Sequence, residues 1–164
     1  MAVLGTRVRV SAGLLSWLVV AAAAALLGRE GSVAPLIGVA ALVLSMVAHE
    51  GAHAVVAHNL GYRVEWVVLG GLAGVTAWFG RDDRPLERAA VALAGPAASA
   101  GMVLLFLVLW QVVPAGSWAV DAVYASLLVN VVALVANLVP VGGTDGALLL
   151  RGLAEHARLR RTRP

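Results

Sequence analysis

Ser45-Met46-Val47-Ala48-His49-Glu50-Gly51-Ala52-His53-Ala54-Val55-Val56 is the stretch on which the rest of the chain turns. It sets His-Glu-x-x-His inside an apolar run, with Leu42-Val43-Leu44 before it and Ala57 after it. On a helix, His49 and His53 are one turn apart, so both imidazoles point the same way. Two imidazoles so spaced can hold one zinc ion, and Glu50 between them can serve as general base. Ionisable side chains in a bilayer core cost on the order of several kcal/mol, so in an apolar helix they call for a function. The competing account is a pair of satisfied core histidines and a buried acid. It leaves the fixed spacing of three residue types unexplained.

The flanks decide the fold class. Of 164 residues, 61% are hydrophobic and 13% charged, against roughly 25% charged in a soluble domain. The expectation is an all-α polytopic membrane protein forming a single domain over residues 1–164. The absence of cysteine excludes disulfides and thiolate metal sites. The formal charge is +3, and all twelve basic residues are Arg, mostly at segment ends. No basic patch carries interleaved aromatic residues, which argues against a nucleic-acid partner. The lipid bilayer, with a preference for an anionic leaflet, fits better.

About four transmembrane helices are expected. Ser11–Leu27 is the first, either retained or, given the small residues Ala21–Ala25, a cleaved signal segment. Gly28-Arg29-Glu30-Gly31-Ser32 makes a polar turn. The second helix runs from about Ala34, with Pro35 in its first turn, to His58, where Asn59-Leu60-Gly61 stops it. The arms 62–69 and 72–79, joined at Gly70-Gly71, are too short to span. They predict a short membrane-associated β-hairpin or re-entrant element between helices two and three. Helix three, about Arg88 to Val113, carries a small-residue segment, Ala94-Gly95-Pro96-Ala97-Ala98-Ser99-Ala100-Gly101. Small residues let helix backbones approach closely, and Pro96 is expected to kink the helix. Helix four covers about Ser117 to Val139 and ends at Pro140. A last segment, Ala147–Arg158, is apolar and then basic.

Arginine placement orients these spans. With residues 59–87 on the same side as both termini, that side holds Arg7, Arg9, Arg63, Arg81, Arg84, Arg88, Arg151, Arg158, Arg160, Arg161 and Arg163. The other side holds only Arg29. The positive-inside rule then places both termini in the cytoplasm of a multi-pass protein of the cell membrane. His49 lies roughly 22 Å along helix two from its outer end at 1.5 Å per residue, in the cytoplasmic half of the bilayer. Helix four also runs outside to inside, so Asp145 emerges in that half.

A hydrolytic zinc site has three protein ligands and one open position. Glu65 and Glu87 sit in the hairpin and loop as solvated charges. Asp121 is at the wrong depth, His58 is on the opposite face of helix two, and His156 is in the basic tail. Asp145 remains. It follows Pro140, which breaks the helix, and Gly142-Gly143, which allow an irregular path. The alternative is that Asp145 or Thr144 merely N-caps the last helix.

His49-Glu50-Gly51-Ala52-His53, followed in a later helix by Asn137-x-x-Pro140-x-x-x-x-Asp145-Gly146, resembles the site-2 protease family of intramembrane zinc metalloproteases. Ala94-Gly95-Pro96 is similar to the family's intermediate segment. The resemblance covers about 33–150. It implies a three-helix catalytic core, one Zn²⁺ held by His49, His53 and Asp145, and Glu50 as catalytic base. It implies cleavage of membrane-anchored protein substrates within or near their transmembrane segments. Departures fall at Ala52, where the family commonly has Gly, at Ser99, where it often has Asn, and at Ala147, where it often has a second Gly. They bear on subgroup and substrate. No PDZ-like or nucleotide-sensing domain fits in 164 residues, which implies a minimal member.

Two roles stay open in the residues themselves. Asn137 either hydrogen-bonds substrate backbone or ties helix four to a neighbour. The hairpin edge either binds an unwound substrate by strand addition or plugs the core. Among other functions, a catalytically inactive relative that binds membrane segments as a regulator would not need Glu50. A metal transporter would need polar residues along several helices. A metalloprotease with Glu as third ligand would need a Glu in helix three or four beyond Glu87, and none is there. Neither the substrate's identity nor the oligomeric state is encoded in these motifs.

Overall fold

The computed structural model describes residues 2–3, 6–27, 34–70, 74–80 and 83–161. The elements in order are β1 (Ala2–Val3), β2 (Thr6–Val10), α1 (Ala12–Leu27), α2 (Ala34–Asn59), β3 (Arg63–Leu69), β4 (Val75–Phe79), α3 (Pro85–Val112), α4 (Trp118–Leu138) and α5 (Asp145–Arg161). The expected polar turn at 28–32 lies outside the described residues, as do most of the Gly70-Gly71 junction and its sequel, 71–73.

Among the described residues, three helices are long and apolar enough to cross a membrane: Pro35–Asn59, Pro85–Val112 and Ala119–Leu138. The first expected span, α1, has 16 residues, about 24 Å at 1.5 Å per residue, against a hydrocarbon core of about 30 Å. It packs on α2, and its Leu14 is buried with Met46, Val67 and Leu69 in a core shared with the sheet. The other three leave large apolar side chains uncovered, among them Leu104, Val108, Val112 and Val132. A lipid-facing surface has this character.

The chain is mostly helical but not all-α. A four-stranded sheet has the order β1-β2-β3-β4, with β3 and β4 antiparallel. Thr6–Val10 pairs in parallel with β3, Arg7 opposite Trp66 and Val10 opposite Leu69. The charge pattern of this N-terminal segment, with Arg7 and Arg9, predicts no strand. Its alternation, Thr-Arg-Val-Arg-Val, is a strand signal, but five residues cannot by themselves specify a distant partner.

The boundaries have local causes. At the end of α2, Tyr62 N–H donates to the Ala57 carbonyl (2.9 Å) and Gly61 N–H to His58 (2.9 Å), with Gly61 at φ +82°. This is a Schellman termination, in which glycine takes the left-handed position. Its apolar contact is the buried cluster of Ala57, Tyr62 and Val91. Helix α3 starts at Pro85, three residues before the expected Arg88, because proline suits the first turn. After α4 the chain reverses through Pro140 and Gly142 (φ +60°), and α5 returns along the first half of α3. That contact is close because Gly152 faces the Pro85 carbonyl and Ala89, where a Cβ would collide. Arg88 and Glu155 pair across it.

Candidate metal centre

Helix α2 presents His49 and His53 one turn apart, with ring centroids 4.8 Å apart and planes at 78°. Their Nε2 atoms are 3.2 Å from each other. Asp145 comes in from the first residue of α5. One carboxylate oxygen lies 3.0 Å from His49 Nε2 and the other 3.3 Å from His53 Nε2. The three side chains offer ligand atoms within 4.8 Å of one another, the two histidines buried and Asp145 partly so.

Both rings are oriented from behind by α3. His53 Nδ1–H donates to the Val91 carbonyl at 2.7 Å, and His49 Nδ1 lies 2.8 Å from Ser99 Oγ. A carbonyl only accepts, so the proton on His53 is committed to Nδ1 and the Nε2 lone pair is turned toward Asp145. An imidazole lone pair facing a carboxylate is repelled unless a cation lies between them. A second-nitrogen hydrogen bond of this kind is also what orients metal-bound histidines. The donor set therefore fits one Zn²⁺.

Gly95 makes the same point sterically. A Cβ there would fall on His53 Nε2 and His49 Nε2. The small-residue segment of α3 thus does more than bring helices together. It keeps the space beside both ligand nitrogens clear.

The turn before α5 frees Asp145 for this role. Thr144 Oγ1 accepts from Ala147 N–H at 3.3 Å, and its hydroxyl donates to the Val139 carbonyl at 2.6 Å. Thr144 is the cap, so the Asp145 carboxylate is left to face the histidines. Gly146 sits against the Leu138 carbonyl, where any side chain would collide, which locks α5 onto the end of α4. Asp145 lies outside the three apolar spans.

Glu50 is 4% exposed. Thr76 of β4 donates to its Oε2 at 2.5 Å. Glu50, Thr76, His49, His53, Asp145 and Asn137 all line one cavity of about 190 Å³. Every site residue expected from the sequence is thus brought to one place. The rejected candidates stay apart: Glu87 pairs with Arg84 at 2.7 Å, while Glu65, His58 and Asp121 are exposed.

Sequence reasoning missed Thr76, the Val91 carbonyl, the steric demand on Gly95, and Asn130. The last is buried in α4, donates to the Ser126 carbonyl at 2.8 Å and lines the same cavity. Its signal was present, since Asn130 and Asn137 are seven residues, two helical turns, apart.

No protein-family model matches the chain. A protein named "Putative zinc metalloprotease Rip3", found in Mycobacterium tuberculosis strains Erdman and H37Rv, is 36% identical over 118 residues. That alignment covers 70% of this chain and 30% of the relative, so the chain spans about three-tenths of the curated relatives' length. The solved Site-2 Protease from Methanocaldococcus jannaschii superposes with a TM-score of 0.73 at 21% identity, covering 95% of this chain and 70% of that one. The fold is that of a membrane-embedded metalloprotease. The chain belongs to the site-2 protease family.

Proposed function

We propose that the chain is a zinc metalloendopeptidase that hydrolyses peptide bonds within or near the transmembrane segments of membrane-anchored proteins, in regulated intramembrane proteolysis. The observation that carries this reading is the convergence of His49, His53 and Asp145, with buried Glu50 lining the same cavity, among helices apolar enough to cross a bilayer.

His49, His53 and Asp145 would hold one Zn²⁺ and leave a position open. When bound, the ion supplies Lewis acidity, acidifying a water and polarising the scissile carbonyl. Glu50 accepts a proton from the attacking water and delivers it to the leaving nitrogen as the C–N bond breaks. The water oxygen ends in the new carboxyl group and its proton on the new amine. Asn137, in the same cavity, hydrogen-bonds substrate backbone. β4 is an outer strand of the sheet, and an unwound substrate segment adds along it through main-chain hydrogen bonds. Arginine asymmetry supports a cytoplasmic placement of both termini and of the hairpin.

The test uses purified protein in detergent, with zinc content measured beside cleavage of a transmembrane helical substrate. Glu50→Gln is expected to retain one zinc and lose cleavage. Turnover at the wild-type rate would remove Glu50 from its role as base.

A further inference from the structure

We infer that Thr76 is a positioning residue for the general base, so that the hairpin strand β4 belongs to the reaction machinery and is not a plug. The inference rests on the proteolytic reading of Glu50.

Three observations carry it. Thr76 Oγ1 lies 2.5 Å from Glu50 Oε2, the length of a hydroxyl donating to an ionised carboxylate. Among the described residues, no other side chain donates to that carboxylate. The same hydroxyl lies 3.3 Å from the Glu50 carbonyl, so it bridges backbone and side chain and restricts how the carboxylate can turn. Finally, Gly74, two residues earlier on the approach to β4, lies where a Cβ would fall on the Glu50 carboxyl, Oε1 included. One residue pins an oxygen and the other makes room for its twin.

The chemistry follows from that division. A carboxylate in an apolar cavity has few donors to orient it and several rotamers to occupy. With Oε2 committed to the Thr76 hydroxyl, Oε1 keeps the unshared lone pairs. It is then the oxygen that takes the proton from water and passes it to the leaving amine. Orientation is set before substrate arrives, which is where positioned groups gain most of their effect. Thr76 never touches the reacting atoms, and its influence on turnover passes through Glu50.

The experiment compares Thr76→Val, Thr76→Ser and Gly74→Ala in the full chain, loaded with zinc, in detergent. Valine keeps the β-branched shape of a strand residue and removes only the hydroxyl. Thr76→Val is expected to lower kcat roughly 10- to 100-fold, the effect of losing one hydrogen bond to a charged group, with KM and zinc content unchanged. Thr76→Ser is expected to restore most of the rate, and Gly74→Ala to lower kcat with zinc retained. A second readout needs no turnover. The carboxylate stretching band of Glu50, assigned by isotope editing as the band lost in Glu50→Gln, shifts in Thr76→Val and not in Thr76→Ser. A wild-type kcat in Thr76→Val, an equal loss in the serine variant, or an unmoved band overturns the inference. Absence of cleavage by the wild type, with the band shift present, overturns the proteolytic reading instead.

Discussion

Ser99 Oγ stands 2.8 Å from His49 Nδ1, and through this one contact α3 sets which nitrogen of the ring faces Asp145. A hydroxyl can accept from Nδ1–H, which leaves the Nε2 lone pair of His49 free for a metal.

Removing that hydroxyl is expected to weaken metal binding without unfolding the protein. Partners of metal-bound histidines typically contribute about 10- to 100-fold in affinity. Ser99→Ala should therefore lower zinc affinity by about tenfold or more, read by chelator competition. Affinity equal to wild type would show that the contact leaves the ring orientation unchanged.

Gly95 and Gly101 lie on the same helix in different surroundings. A Cβ at Gly95 meets both ligand nitrogens, whereas one at Gly101 has nothing within 4 Å. Gly95→Ala is expected to abolish zinc binding, and Gly101→Ala to leave zinc content and cleavage at wild-type levels. Zinc measured by elemental analysis on the two variants side by side decides the matter.

The two neighbours at the start of α5 divide capping from ligation. Thr144→Ala removes the acceptor for Ala147 N–H and is expected to cost about 1 kcal/mol of stability while zinc stays bound. Asp145→Asn keeps the size of the side chain and removes its charge, and is expected to lose zinc. Thermal melts and metal analysis on both variants test this. Zinc retained in Asp145→Asn at wild-type affinity would return the third position to an unassigned ligand.

Much of this site was legible before any coordinates. The pair His49 and His53 needs only the helical repeat, because residues four apart share a face whatever surrounds them. Three of the four expected spans recur as helices long and apolar enough to cross a membrane, because apolar runs of sufficient length specify them. Asp145 was reachable by elimination, since few acids stand at the right depth. The strand Thr6–Val10, the hydroxyl of Thr76 on Glu50 and the role of Gly95 were not legible in this way. Each depends on a partner far along the chain, and no local period encodes which partner that is.

The amino-acid order alone therefore determined which helix carries the ligand pair, and that its surroundings are apolar. Whether the Asp145 carboxylate turns to the helix cap or to the two histidines was decided only in the folded chain. There Thr144 takes the cap and α5 folds back on α3, bringing an oxygen ninety-six positions away to 3.0 Å from His49. Local geometry follows from bonded neighbours and their periodicity. A contact across that separation is set by helix packing, where a missing Cβ at Gly146 or Gly152 decides how close two backbones can come, and one at Gly95 leaves room for the two imidazoles.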